Sequence, residues 1–257
     1  MKSITAKLTL LSMIVLCLFT GVSYAQGAKN AIAEIWLFDE GKGKTVADAS
    51  GNGHDGEIIK GDAEWVEGKF GTALDFPGDE TNVSIPHEDS LNLTTFTITA
   101  WVKIRGVKGC LVNKEIFAAT HSNYAIGVTN TNVVWSEFTA NGTWLDVLGN
   151  TEIVDDKWHH IAATYDQKFQ RVYVDGEKDA EKAHTEKPDT NLEPLTFGSA
   201  PKVGGNPTGT IDEVGLFNEA LTEDEIKSIM TKGLKSATSV VSTMDKLAVT
   251  WGSIKSQ

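Results

Sequence analysis

Two tryptophans and two acidic residues near the middle of the chain have the types and spacing of a carbohydrate-binding surface. Trp135 and Glu137 are two positions apart in a run of high β-propensity, so their side chains point to the same face of a strand. Trp144 and Asp146 have the same spacing and follow an Asn-Gly turn. An indole ring stacks well on the C–H groups of a sugar, and carboxylates bind its hydroxyl groups.

Tyr124 and His121 precede this segment and are predicted to add to the rim of the same platform. The alternative for each of these side chains is ordinary packing between two sheets. The platform is therefore a hypothesis that depends on the face of the strand that each residue occupies.

A second group of polar residues has the composition of a calcium-binding loop. Asp48 and Asn52 flank a glycine-containing turn, where carbonyl groups can also point inward. Calcium takes about six to eight oxygen ligands from carboxylates and carbonyls. The alternative is that Asp48 and Asn52 only shape the turn.

The acids do not have the spacing of a catalytic pair on one strand. A retaining glycosidase needs two carboxyl groups about 5–5.5 Å apart. Asp212 and Glu213 are adjacent and point apart, and residues 155–156 fall in a turn. Serine-elbow, phosphate-loop and zinc-protease motifs are also absent from the sequence. No catalytic residue is predicted, and a hydrolase or lyase of this sequence would need acids that converge from distant strands.

The scaffold that positions these residues is predicted to be an all-β sandwich. Residues 30–218 consist of short segments of high β-propensity separated by Gly, Asn and Asp turns. The predicted strands are 32–38, 82–86, 95–104, 124–128, 132–139, 158–165, 171–174 and 210–217. The segment 95–102 alternates polar and apolar residues, which predicts one buried face.

One short amphipathic helix is predicted after the last strand. Thr222 and Glu225 have the spacing of a capping box, in which each side chain accepts a hydrogen bond from the backbone amide of the other. Ile226 and Ile229 give an apolar stripe, and Gly233 supplies the C-terminal stop.

The N-terminus has the pattern of a secretory signal peptide. Lys2 and Lys7 precede the apolar run 8–19, and small residues allow a cut after Ala25. The run is too short for a membrane anchor, which needs about 20 apolar residues, and no later segment could span a bilayer. We therefore expect a secreted or periplasmic protein.

The net charge and the cysteine content argue against a nucleic-acid partner and against an internal disulfide. The chain has 257 residues and a net charge of −12, which argues against nucleic acid as a partner. Cys17 leaves with the signal peptide, so Cys110 cannot form an internal disulfide. Cys110 lies in an apolar run, which predicts a buried structural thiol.

Seven motifs follow one another in a fixed order along residues 31–233. They are WLFDEG (36–41), DASGNGHDG (48–56), GKFGTALDF (68–76), FTITAWV (96–102), WHHIAATYD (158–166), YVDG (173–176) and GTIDEV (209–214). The series resembles the laminin-G-like domains of bacterial secreted proteins, in the concanavalin A-like lectin/glucanase group.

The resemblance implies a jelly roll of two antiparallel sheets, one convex and one concave. In this group the concave face or the rim loops bind glycans or proteins. A calcium ion is commonly held between an N-terminal loop and the aspartate of the final strand. That aspartate is Asp212 here, and Asp39 ends the first strand; with Asp48 and Asn52 they are the predicted calcium ligands. The domain assignment is 26–233, with 234–257 as a tail of unassigned role.

Three functions are compatible with these features. The first is a secreted, non-catalytic module that binds carbohydrate on the concave face, with a structural calcium ion. The second is a protein-interaction or adhesion domain of the cell envelope or matrix, in which the loops bind an extracellular protein. The third is a polysaccharide hydrolase or lyase.

Overall fold

A computed structural model of the chain describes residues 32–78, 80–106, 109–116, 121–198 and 207–236. Two antiparallel sheets, one short C-terminal α-helix and one 3-10 turn (Asp89–Leu91) account for the regular structure of these residues, which confirms the predicted all-β sandwich. The predicted signal peptide (1–25) and nearly all of the tail (237–257) lie outside the described residues. The strands are β1 (Ile32–Trp36), β2 (Thr45–Val46), β3 (Gly56–Lys60), β4 (Glu64–Glu67), β5 (Thr72–Pro77), β6 (Asn82–Ile85), β7 (Phe96–Gly106), β8 (Gly109–Ile116), β9 (His121–Val128), β10 (Val133–Ala140), β11 (Thr143–Glu152), β12 (Trp158–Tyr165), β13 (Phe169–Val174), β14 (Glu177–Ala183), β15 (Leu195–Phe197) and β16 (Thr208–Phe217).

The strands divide into two sheets whose inner faces share one hydrophobic core. The first sheet has the order β14-β13-β12-β7-β16-β5-β4, and β1 also pairs with β16. The second sheet has the order β11-β10-β9-β8-β15-β6-β3-β2. Ring contacts in the core include Trp36 with Phe197, at 5.0 Å between centroids, and Phe138 with Tyr165, at 4.5 Å. Burial of such large apolar side chains is the main source of stability for the sandwich.

The outer face of β7 is more buried than its alternating sequence predicts. Ile98 points into the core as expected, but Thr97 on the opposite face is also fully buried. Thr97 Oγ1 donates to the carbonyl of Glu219 at 2.7 Å and accepts from the amide of Leu221 at 2.8 Å. The segment before the helix therefore covers part of the outer face of the first sheet, and both faces of β7 are buried over residues 96–102.

Helix α1 (Glu223–Lys232) packs on that same outer face. The predicted capping box is present, since Thr222 Oγ1 accepts from the Glu225 amide at 3.3 Å and Glu225 Oε2 accepts from the Thr222 amide at 2.8 Å. Ile226 and Ile229 are buried in a second apolar cluster beneath the helix. Gly233 ends the helix with a φ of +73°, a conformation that favours glycine.

The structure also tests the predicted state of Cys110 and the predicted lack of a membrane-spanning segment. Cys110 is a free, buried thiol, as predicted, and burial raises its pKa well above the ordinary value. Among the described residues, no helix has the length and apolar character needed to cross a membrane.

Candidate functional site

The register of β10 and β11 places the four residues predicted for the sugar platform on one face. An Asn-Gly turn with positive φ at both residues joins the two strands. Glu137 lies directly opposite Asp146, and Trp135 and Trp144 occupy the rows on either side of that pair. We call Trp135, Glu137, Trp144 and Asp146 the hairpin patch.

The hairpin patch lies on the outer face of the second sheet. Val134 and Phe138 alternate with its residues along β10 and are buried in the core, so the patch points away from it. A side chain at Gly127 on β9 would come within 2.8 Å of the Trp135 ring, so this ring packs directly on the β9 backbone. All four patch residues are half-buried, which leaves part of each ring and carboxyl group accessible.

Glu115 on β8 joins the patch, although the sequence did not point to it. Burial, followed by the charges of Glu115 and Asp146, raises the pKa of Glu137 to about 8. Burial raises the pKa of Glu115 to about 7, opposed by a hydrogen bond from Cys110 Sγ at 3.6 Å. Glu115 Oε2 is buried without a partner. Two carboxyl groups therefore converge from separate strands, each holding its proton more tightly than an ordinary glutamate.

Asp146 has a different environment. Its Oδ1 lies 2.9 Å from Lys182 Nζ on β14, in the first sheet. His184 Nε2 lies 3.2 Å from the backbone carbonyl of Asp146. The edges of the two sheets meet at this point. Lys182 compensates the charge of Asp146, whereas no cation is paired with Glu137 among the described residues.

Tyr124 does not lie at the rim of this patch. It is fully buried in the core, and its hydroxyl group donates to the carbonyl of Leu91 at 3.0 Å. The reason is the phase of β9, because Ala125 pairs with Glu137 on the outer face and Tyr124 must point inward.

The predicted metal ligands Asp48 and Asn52 lie together in the loop before β3. Asp48 Oδ1 accepts from the amide of Ser50, and Oδ2 accepts from two further amides of the loop. Burial acts to raise the pKa of Asp48, but these hydrogen bonds outweigh it and the pKa is lowered. The Asn52 amide group donates to Glu34 Oε1 at 3.3 Å, and His54 Nδ1 lies 2.6 Å from the same atom. Asp48, Glu34 and His54 are close enough to hold one metal ion.

Asp212 and Asp39 lie elsewhere, at the turn that precedes β5. Asp212 Oδ2 accepts from the amides of Lys69 at 2.8 Å and Phe70 at 3.0 Å, and Asp39 Oδ1 accepts from the amide of Thr72 at 3.2 Å. Burial raises the pKa of Asp212 to about 7, opposed by these amide bonds. Its Oδ1 is buried without a partner.

The four predicted calcium ligands therefore fall into two groups, which fit calcium unequally. The Asp48 group includes a histidine, and its aspartate is already bonded to three loop amides, so it fits an oxygen-binding cation poorly. The Asp212 group fits better, because a buried carboxylate oxygen lacks a partner. The carbonyl oxygens of Phe70 and Thr72 also lie beside Gly68, next to Asp212 Oδ2.

Comparison with family models gives a match over more than half of the chain. The model is Laminin G 3, described as the concanavalin A-like lectin/glucanases superfamily, and it matches residues 77–227. A search of curated proteins found no match.

Comparison with solved structures gives many matches at low sequence identity. The binding domain of Paraclostridial mosquitocidal protein 1 has a TM-score of 0.65 at 19% identity, over 79% of this chain and 52% of that one. Domain 4 of AbnA, an extracellular arabinanase of Geobacillus stearothermophilus, in complex with arabinotriose, has a TM-score of 0.62 at 19% identity, over 78% of this chain and 98% of that one. The binding domain of botulinum neurotoxin DC in complex with rat synaptotagmin II has a TM-score of 0.61 at 15% identity, over 79% of this chain and 52% of that one. The chain spans about half of the two toxin domains, and at these identities the likeness establishes the fold.

Proposed function

The chain belongs to the Laminin G 3 family of the concanavalin A-like lectin/glucanases superfamily, and from that premise we propose that it is a secreted, non-catalytic carbohydrate-binding domain. The binding surface is the hairpin patch on the outer face of the second sheet, which we take as the concave face. One observation carries the proposal: Glu137 and Asp146 form a cross-strand pair between two half-buried tryptophans. The arabinotriose complex of the AbnA domain supports a sugar ligand for this fold.

Each member of the patch has a separate part in binding. The indole rings of Trp135 and Trp144 stack on the apolar face of a sugar. Glu137, with a pKa of about 8, is protonated near neutral pH and both donates to and accepts from sugar hydroxyl groups. Asp146 is held by Lys182 and accepts hydrogen bonds from further hydroxyl groups. Affinity for one site should be weak, because mobile hydroxyl groups are ordered on binding.

Replacing both rings should abolish binding. We expect the Trp135→Ala, Trp144→Ala protein to lose at least about tenfold in affinity for the polysaccharide or oligosaccharide identified on a glycan array, because the stacking surface is removed. Tryptophan fluorescence quenching measures the loss. Trp65 is also half-buried but lies on β4 in the first sheet, so the Trp65→Ala protein is the matched control. Unchanged affinity in the double variant would remove the patch from the proposal, and a folded protein that binds no glycan would favour an adhesion domain.

A polysaccharide hydrolase is the second candidate, and one observation favours it. Glu115 and Glu137 approach each other from β8 and β10 with pKa values of about 7 and about 8, and a carboxyl group protonated at neutral pH is what a general acid requires. Release of reducing ends from a polysaccharide, lost in the Glu137→Gln protein, would replace the non-catalytic proposal with this one.

A structural calcium ion is the other part of the proposal. The residues that would hold it are Asp212 and Asp39, with backbone carbonyl groups of the turn before β5. When bound, the ion would join that turn to the last strand, since Asp212 lies on β16. The buried, unpartnered Asp212 Oδ1 supports this assignment over the Asp48 loop.

Calcium should therefore stabilise the fold through Asp212. A free concentration about 100 times the dissociation constant adds about 2.7 kcal/mol to the free energy of unfolding, and a chelator should reverse the gain. Thermal unfolding with and without calcium tests this in three proteins: the native chain, Asp212→Asn and Asp48→Asn. We expect the calcium effect to be lost only in Asp212→Asn. Its loss only in Asp48→Asn would move the ion to the other loop.

A further inference from the structure

The outer face of the first sheet is only partly covered by helix α1. The helix and the segments that flank it bury one part of this face in the second apolar cluster. Beyond that part the face opens into a cleft of about 560 Å³. Small-ligand sites have volumes of about 300–1,000 Å³, so the cleft has the size of a binding site.

Four strands supply the floor of the cleft as one continuous row. Trp158 on β12 lies opposite Lys103 on β7, Lys103 lies opposite Thr210 on β16, and Thr210 lies opposite Asp75 on β5. Residues in one such row point to the same face. The floor is thus carried by paired strands of the sheet, so its geometry is fixed before any ligand arrives.

The charged groups of the cleft hold one another in place. Arg105 donates to Asp75 through two bonds, at 2.7 and 2.9 Å, and Thr210 Oγ1 donates to Asp75 Oδ1 at 2.8 Å. Lys103 Nζ lies 3.6 Å from Asp156 Oδ1. Each cation is therefore matched by a carboxylate, while both basic side chains remain about one-third exposed and keep donors free for a ligand.

Trp158 provides the aromatic surface of the cleft. It is half-buried, and its indole N–H has no hydrogen-bond partner within the described part of the chain. An accessible indole with an open donor, beside ordered ion pairs, offers both a stacking face and a directional contact.

We propose that this cleft is a second binding site and that its ligand is a neutral glycan. Vicinal hydroxyl groups both donate and accept, which matches the paired Arg105–Asp75 and Lys103–Asp156 groups, and the Trp158 ring would take the apolar face of the sugar. An acidic ligand fits worse, because Asp75 and Asp156 already compensate both cations and Glu67 adds a further carboxylate to the lining. The site lies on the opposite sheet from the hairpin patch, so it stands independently of the function proposed for that patch.

The test is nuclear magnetic resonance of the full chain labelled with ¹⁵N-tryptophan. The probes are arabinotriose, xylotriose, cellotriose, mannotriose and chitotriose, with trigalacturonic acid as the acidic comparison, each at about 10 mM because weak binding is expected. The Trp158→Phe spectrum identifies the Trp158 indole signal. We expect at least one neutral trisaccharide to shift that signal saturably, and Arg105→Ala to weaken this binding by about tenfold.

Arg171→Ala is the matched control, since it removes the same charge from ion pairs on β13, and it should leave the binding unchanged. Thr210→Val gives a second measurement should Arg105→Ala fold poorly, and it should also weaken binding. A Trp158 signal that no neutral probe shifts overturns the proposal. So does a shift caused by trigalacturonic acid alone, or an affinity that both cleft variants retain. Shifts confined to Trp135 and Trp144 would leave the hairpin patch as the sugar site and remove the cleft.

Discussion

The Glu137→Gln protein is expected to be more stable than the native protein at pH 8, by about 2–4 kcal/mol, and about equally stable at pH 4. The expectation follows from the pKa of Glu137, which burial and the charges of Glu115 and Asp146 raise from 4.5 to about 8. Glutamine has the shape of the protonated glutamate but cannot lose a proton, so the substitution removes only the cost of the buried charge.

The sign of the pH dependence follows from proton binding. Between pH 4.5 and about 8 the unfolded chain has released this proton and the folded chain retains it. The free energy of unfolding therefore falls as pH rises through this window, and the stabilisation present at low pH is lost above the folded pKa. Each unit of pKa difference corresponds to about 1.4 kcal/mol. We expect less than the full value, because Glu137 is half-buried and its titration is coupled to that of Glu115.

Urea unfolding at pH 4, 6 and 8 measures the effect. Glu152→Gln is the matched control, since Glu152 lies on the same hairpin but is exposed, and its free energy of unfolding should stay within about 0.5 kcal/mol of the native value. Equal stability of the native and Glu137→Gln proteins at pH 8 would contradict the raised pKa. A confirmed gain would show that the chain carries a destabilising group on its outer face, which is the usual compromise at a functional site.

The strands were predictable where the sequence carries a hydrophobic pattern, and not where pairing alone forms them. The alternation of β7 is visible in the sequence, because one side of the strand must be apolar to face the core. Strand β14 reads EKDAEKA and has low β-propensity; it forms because β13 offers a hairpin partner after the Asp175-Gly176 turn. The Asp-Gly turn is therefore a local signal for the hairpin, while the residues of β14 themselves carry no strand pattern.

The candidate site was predictable in part for a similar reason. Trp135 and Glu137 share a face through local alternation, which the sequence shows directly. The approach of Glu115 to Glu137 depends on the order β8-β9-β10 and on a register shift between Lys114 and Glu115, neither of which one sequence encodes locally. To place Tyr124, one must know which residues of β9 face the core. The prediction that Tyr124 lies at the rim of the platform was wrong, because its side chain points into the core. Asp48 was predicted as a metal ligand from the composition of its loop and Asp212 from the family resemblance, while the fold gives the two carboxylates different sets of amide partners.

Lys114 is the position at which we expect the largest loss of stability from removing one polar group. It lies on β8, and its side chain is fully buried. Its Nζ donates to the carbonyl of Glu193 at 2.7 Å and to both the carbonyl and the side-chain oxygen of Asn191 at 3.3 Å. His87 Nδ1 lies 3.1 Å away. Burial lowers the pKa of Lys114 to about 8, so the side chain is still largely charged at pH 7.

The Lys114→Met protein should lose about 3 kcal/mol in its free energy of unfolding at pH 7, because three charge-assisted hydrogen bonds, to the carbonyl of Glu193 and to two oxygens of Asn191, are removed together. Methionine keeps most of the apolar stem, so the loss measures the polar contacts rather than a cavity. Lys42→Met, at an exposed position, is the matched control and should change stability by less than about 0.5 kcal/mol. Urea midpoints at constant slope give both values. A Lys114→Met protein as stable as the native one would mean that the desolvation of the ammonium group offsets its hydrogen bonds, as it does in many buried ion pairs. In that case the 191–193 segment would be held against β8 by the amide group of Asn191, which donates to the carbonyl of Lys114 at 3.0 Å.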